Sequence, residues 1–286
     1  MFEKKKTAIV LEGGGMRGLY TAGVLDILME ENIYTDMAIG VSAGCLFGIN
    51  YKSKQKGRAL RYNKKYSRSK NYMGIESLIK TGNIMNKEFC FDKLVNELDP
   101  FDFETYKKTK MKFYATVTNT RTGKAEYIEI DDLKDPDQME YCRASGSIPM
   151  VSKMVEVKGE KYLDGAIGDS IPVKKAIEDG YQKIIVVTTR PYDYKMEYKN
   201  RRIAKIMYRK YPKFLKAFLN RYKMYNETTD YIKDLEKTGR IVVIRPSKKV
   251  PAERLEKNPA LLQEAYNLGR SDTKKKIKEI KRYLKG

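Results

Sequence analysis

The chain has no histidine and no tryptophan, and only three cysteines among its 286 residues. Without histidine there is no Ser-His-Asp or Cys-His machinery, and no His-ligated zinc, haem or facial-triad iron. Any proton transfer must run through Asp, Glu, Lys, Tyr, Cys or water. Cys45, Cys90 and Cys142 are odd in number and far apart, so they offer neither a disulfide framework nor a metal-binding pair, which fits a reducing compartment. No stretch approaches the roughly 18 apolar residues of a membrane span. The apolar run Thr7–Leu11 is too short for a signal-peptide core. The reading is a soluble, cytoplasmic protein, with no acidic loop for calcium and no cofactor or metal expected.

Acidic residues are outnumbered. Lys and Arg number 58 against 37 Asp and Glu, a net charge of +21. An anionic partner is plausible, with nucleic-acid or lipid phosphates the obvious candidates. The base is concentrated. Tyr51–Tyr72 holds nine Lys/Arg and no acid, and Lys195–Lys223 holds eleven with one acid, Glu197. In the second run Ile203, Ile206, Met207, Tyr211, Phe214, Leu215, Phe218, Leu219 and Tyr222 keep helical spacing, and Pro212 must kink or split that helix. Such a stripe beside a cationic face suits an anionic lipid surface or, more plainly, packs on the core. Aromatic and basic residues mix in 51–72 as they would for nucleic acid, but no folded nucleic-acid module is recognisable, so none is expected as partner. Thr273–Gly286 reads as a Lys-rich helix with Ile277, Ile280 and Leu284 on one side.

The first fifty residues read as strand, helix, strand, helix. Thr7–Leu11 and Met37–Ile39 are short apolar strands, and Leu19–Glu31 carries apolar residues in a helical rhythm. Further strands are expected at Lys112–Thr118, Ala125–Ile130, Lys161–Leu163, Lys183–Thr189 and Arg240–Arg245, with a helix from Pro172 to Asp179 capped near Ser170. Apolar strands alternating with helices predict an α/β fold with a mostly parallel sheet covered on both faces.

Three motifs carry chemistry. Gly13-Gly14-Gly15-Met16-Arg17-Gly18 follows a strand and opens a helix, the setting of a dinucleotide fingerprint. That reading also needs an acid at the end of the second strand; none stands there, and Asp36 lies at the wrong end. Consecutive glycines equally let N–H groups converge on a phosphate or on the oxyanion of an acyl transfer. The plainest alternative is a tight turn. Gly40-Val-Ser42-Ala-Gly44 sits between strand and helix, where a nucleophilic serine is held on a sharp turn; the alternative is an ordinary N-cap serine. With histidine absent, a carboxylate is the next base for such a serine. Asp164, followed by Gly165 and Ala166, stands at a strand end; Asp131, Asp169 and Asp193 lack that combination.

Taken in order, these three motifs resemble the patatin-like phospholipases over roughly residues 5 to 190, as do Ala144–Pro149 and Asp169–Pro172. The resemblance implies a three-layer α/β/α sandwich and a Ser–Asp dyad, with Ser42 the nucleophile and Asp164 the base. It makes the glycine loop, Gly13 to Gly18, the oxyanion hole, with Gly14, Gly15 and Met16 as N–H donors. Arg17 takes the loop's basic position, either functional or as an anchor through carboxylates or carbonyls. The activity implied is hydrolysis of lipid carboxylic esters through an acyl-serine, with a lipid ester as partner and peripheral contact with anionic membrane open to the basic segments. A nucleotide-binding or nucleic-acid-binding protein is the alternative. Residues 5–190 are expected as the catalytic core. Residues 191–286 are expected as a basic helical insertion, one further core strand and a C-terminal helix, packed on the same domain.

Overall fold

A computed structural model describes residues 5–198 and 202–286. Lys199 and Arg201 of the second basic run therefore lie outside the described residues. The strands are β1 (Thr7–Leu11), β2 (Met37–Val41), β3 (Lys112–Asn119), β4 (Ala125–Glu129), β5 (Val155–Val157), β6 (Glu160–Asp164), β7 (Lys183–Val187) and β8 (Ile241–Ile244). They form one eight-stranded sheet in the order β5-β6-β3-β2-β1-β7-β8, with β4 also on β3. The run β3-β2-β1-β7-β8 is parallel, and β4, β5 and β6 are antiparallel additions at one end.

Alternation along the strands explains the layers. Ile9 and Leu11 of β1 face one apolar cluster, while Ala8 and Val10 face another. The first cluster is covered by α1 (Leu19–Glu30), α2 (Ala43–Lys52), α3 (Arg58–Tyr66), α4 (Ile75–Thr81), the wide-turned α5 (Phe89–Leu98), α6 (Phe103–Lys108) and α7 (Pro136–Ser145). The second is covered by α8 (Val173–Glu178) and, beyond α9 (Arg202–Met207), by the long α10 (Pro212–Lys237). The final helix, α11 (Pro259–Lys285), returns to the first face against α1. This is the expected three-layer α/β/α arrangement with a mostly parallel sheet.

Connections from β1 to β2 pass over the first face, and those from β7 to β8 over the second. The chain thus switches direction between β1 and β7, where a crevice opens beyond the carboxyl ends of the strands.

Three local expectations change and a fourth holds. β5 is a strand the sequence reading lacks. The last helix begins at Pro259, not Thr273. Ser170 does not cap α8; its hydroxyl donates to the Ala166 carbonyl at 2.7 Å, and Pro172 holds the cap position. Pro212 splits the basic stripe by starting a helix, where its missing N–H costs nothing. Downstream of it Phe214 and Phe218 are buried; upstream, Ile203, Ile206 and Met207 of α9 are exposed. Part of the 51–72 run is also engaged internally. Arg58 is buried, with its guanidinium on the Asp99 carbonyl, and Arg61 grips the Asp99 carboxylate at 2.7 Å through two nitrogens. Among the described residues no helix is long and apolar enough to cross a membrane.

Candidate active site

Ser42 sits between β2 and α2 with φ 55° and ψ −124°, a backbone conformation that L-residues rarely adopt. Two glycines permit it. A Cβ on Gly40 would stand 2.5 Å from Cys45 Cα in α2, and one on Gly44 would stand 2.4 Å from the Leu11 carbonyl oxygen of β1. The turn is pinned further. The Ser42 N–H donates to the Ser145 hydroxyl at 2.9 Å, and the Ser42 carbonyl accepts from Cys45 and Leu46 N–H, each at 3.0 Å. Its side chain stands at the N-terminal, positive end of α2.

Strand register brings Asp164 to it. β4 occupies residues 114–118 along one edge of β3, so β2 (pairing 112–116) and β6 (pairing 117–119) must share the other edge. β2 runs parallel to β3 and β6 antiparallel, so the two run head to head. Val41 pairs with Thr116 and Asp164 with Val117. The residues 42 and 164, far apart in sequence, therefore meet where the two strands end. The Ser42 hydroxyl sits beside the Asp164 carboxylate and favours its ionised form. Asp164 Oδ1 also accepts the Ala166 N–H at 2.9 Å, and its backbone is held by the Ser147 carbonyl and the Thr118 hydroxyl, both at 2.9 Å. Gly165 is required beside it, because a Cβ there would stand 2.1 Å from the Thr116 carbonyl oxygen. Burial pushes the Asp164 carboxyl above its ordinary range; the Ala166 N–H, the Ser42 hydroxyl, Arg221 and Arg254 oppose that rise.

The glycine loop crosses directly over this pair. Gly13 packs on Ser42, where a Cβ would come within 2.7 Å of the serine Cβ, and Gly18 packs on Ala43. Gly15 has φ +60°. Among the described residues the N–H groups of Gly14 and Gly15 have no acceptor, whereas Met16 N–H already donates to the Arg254 carbonyl at 3.0 Å. Met16 is therefore not the free donor expected from the motif. Nor is Arg17 an anchor. It is buried, its Nε has no partner, and no carboxylate or carbonyl bonds its guanidinium among the described residues.

Two cavities meet at Ser42, sharing Gly15, Ile148 and Arg254 in their walls. One, of about 740 Å³, is polar and includes Arg17, Asp164, Arg190 and Arg221. The other is a narrow apolar slot lined by Met16, Phe47, Tyr62, Met85 and Leu94 among others.

Several contributors to the site escaped the sequence reading. Glu12, buried at the end of β1, accepts Thr189 N–H at 2.5 Å and the Tyr225 hydroxyl at 2.9 Å. Burial pushes its carboxyl up, against those two bonds and the nearby Arg17 and Arg190. Arg221 donates to the Ala166 carbonyl at 2.7 Å. Tyr225, Arg190, Arg221 and Arg254 come from beyond residue 189, where no motif pointed. Ser145 and Ser147 lay within the Ala144–Pro149 segment that the resemblance included. Asp36 and Asp169 serve structure, bonding Thr7 and Tyr127 respectively. No cluster able to hold a metal occurs among the described residues.

The family model described as Patatin-like phospholipase matches residues 9–177, more than half of the chain. A second, described as a domain of unknown function (DUF6363), matches residues 211–285. The chain is similar to the uncharacterized protein YjjU of Escherichia coli, 28% identical over 195 residues, spanning 66% of this chain and 54% of that protein. It is similar to lysophospholipase nte1 of Aspergillus niger, 26% identical over 182 residues, 59% of this chain and 11% of that protein. The chain thus spans about half or less of the length of these curated relatives. Among solved structures, VipD from Legionella pneumophila aligns with a TM-score of 0.41 at 13% identity, over 96% of this chain and 67% of that one.

Proposed function

The chain belongs to the patatin-like phospholipase family, and from that premise we propose that it is a serine lipid acyl hydrolase working through a Ser42–Asp164 dyad. The observation that carries the reading is the head-to-head meeting of β2 and β6, which sets a serine on a strained turn against a buried carboxylate under two unpaired N–H groups.

Asp164 takes the Ser42 proton as the hydroxyl attacks the ester carbonyl. The developing oxyanion faces the N–H groups of Gly14 and Gly15, each such donor worth roughly 3–4 kcal/mol in the transition state. The proton then passes from Asp164 to the leaving alcohol, and the acyl chain stays on Ser42. Asp164 next takes a proton from water as it attacks the acyl-serine, and returns that proton to the Ser42 oxygen as the acid leaves. A carboxylate is a weak base for a serine, and burial of Asp164 strengthens it. The acyl chain lies in the apolar slot and the alcohol portion in the polar cavity. Esters suit this dyad better than amides, because an alkoxide leaves more readily than an amine. The exposed apolar side chains of α9, set in a basic surface, supply a place for peripheral contact with anionic lipid.

A fluorophosphonate probe is expected to label Ser42. Ser42→Ala should abolish labelling and ester turnover, and Asp164→Asn should lower kcat by about 10²–10⁴, the range for loss of a general base. Full turnover in Asp164→Asn would remove the dyad.

A further inference from the structure

The polar cavity holds more positive charge than the chemistry at Ser42 needs. Arg17, Arg190 and Arg254 line it together. Arg17 is 7% exposed and its guanidinium has no acceptor. Arg190 lies over the Tyr194 ring at 4.3 Å, and neither it nor Arg254 forms an ion pair or side-chain hydrogen bond among the described residues. Three mutually repelling guanidinium groups line one cavity; Arg190 is half-buried and Arg254 exposed, while Arg17, buried without a partner, raises the free energy of the empty fold. Arg17 registers the strain: burial first, then Arg190 and Arg254, bring its pKa down to about 10, with Glu12 and Glu253 only partly offsetting them. Glu12 is already bonded to Thr189 and Tyr225, and Glu253 to Lys249. Of the other acids in the wall, Asp164 is the base beside Ser42, and Asp193 and Glu197 are exposed.

An anion entering the cavity would satisfy all three arginines at once. A tetrahedral phosphate offers the acceptors that planar guanidinium forks match. The cavity's connection to the apolar slot at Ser42 fixes which phosphate: one joined to an acyl chain through the ester that lies between them. We infer that Arg17, Arg190 and Arg254 form an anion subsite that seats a phosphate group of the ester substrate beside Ser42, so that acyl esters with a phosphate-bearing head are preferred over neutral ones. Two of the three arginines lie outside the patatin-like match, and Arg254, with Arg221 behind the site, falls in the 211–285 segment. That segment acquires a role in choosing the substrate. The inference rests on Ser42 being the nucleophile.

The test compares kcat/KM of the full chain on a monoacylglycerol and on the same monoacylglycerol carrying a 3-phosphate, with inorganic phosphate and glycerol 3-phosphate as competitors. The expected preference for the phosphate-bearing ester is about 10-fold or more, and Arg190→Gln and Arg254→Gln should each lower that ratio about 10-fold. Glycerol 3-phosphate should compete with the ester, and less well in both variants. Lys274→Gln/Lys278→Gln, which removes two exposed charges of α11, should keep the ratio, separating the subsite from general attraction to a basic protein. Fluorophosphonate labelling of Ser42 in each variant shows that the site is still assembled. Labelled Ser42 with no preference in the parent chain, or with a ratio unmoved by both arginine changes, overturns the subsite and leaves the hydrolase standing. Competition by inorganic phosphate without any substrate preference marks a site for the free anion and overturns the headgroup assignment. Loss of labelling and turnover in the parent chain overturns the hydrolase and this inference together.

Discussion

At the scale of single residues, the site is a set of close approaches that tolerate no extra atom. Gly44→Ala would drive a Cβ into the Leu11 carbonyl of β1, and Gly40→Ala would drive one into the α2 backbone. Neither neighbour is a flexible side-chain end, so each change is expected to cost about 1–3 kcal/mol of stability and to displace Ser42. Chemical denaturation together with probe labelling measures both effects. The carboxylates make a second kind of prediction. Asp164 acts as a base only when ionised, and burial raises its pKa above the ordinary 3.8. Activity should therefore rise with pH through that elevated pKa, and a kcat/KM profile with its acid limb at or below pH 3.8 would contradict the assignment. Glu12 is raised above its ordinary 4.5, so ionising it costs more in the folded chain than in the unfolded one. Its contribution to stability is complete below pH 4.5 and is lost as pH climbs through the folded value. Glu12→Gln keeps an oxygen for Thr189 N–H and an amide for the Tyr225 oxygen but removes the titration. The variant should show a flatter dependence of Tm on pH above 4.5 than the parent chain.

At the scale of elements, what the sequence discloses depends on whether an element carries its own pattern. β1, β2 and β7 are continuous apolar runs, and buried parallel strands have that signature, so they were legible. The serine turn and the Asp164-Gly165 strand end were legible because glycine at fixed spacing is a steric statement. β5 was not: three residues flanked by turns carry no period. The first half of α11 was missed for a more instructive reason. Gly269 and Ser271 look like poor helix formers, yet a Cβ on Gly269 would stand 2.0 Å from the Tyr20 carbonyl oxygen of α1. The glycine is there so that two helices can touch, which only the tertiary structure shows. Gly269→Ala should consequently lower Tm despite its better helix propensity, and an unchanged or higher Tm would show that the α1–α11 crossing can yield. The basic stripe divides for a similar reason: Phe214 and Phe218 found the core, while Ile203 and Ile206 did not. If α9 meets lipid, Ile203→Glu/Ile206→Glu should lose sedimentation with vesicles containing anionic phospholipid while probe labelling of Ser42 persists.

At the scale of the whole molecule, the residues beyond Arg190 are not an appendage in structural terms. β8 pairs with β7 along four residues, α11 covers α1, and Tyr225 reaches back to Glu12 at the end of β1. The sequence offered no motif for this half, since its work is done by single side chains arriving from different elements rather than by a local pattern. Removing it would expose Val186 and Val187 at a raw sheet edge and uncover the apolar faces of both β7 and α1. We therefore expect one cooperative unit. The full chain should unfold in a single transition by both circular dichroism and tyrosine fluorescence. A chain ending at Arg190 should fail to give soluble, probe-reactive protein. Two separated transitions, or a truncated chain that still labels at Ser42, would show that the amino-terminal part holds its site alone. In that case the carboxyl-terminal helices would serve as a substrate-facing cover and not as part of the core that keeps β2 and β6 in line.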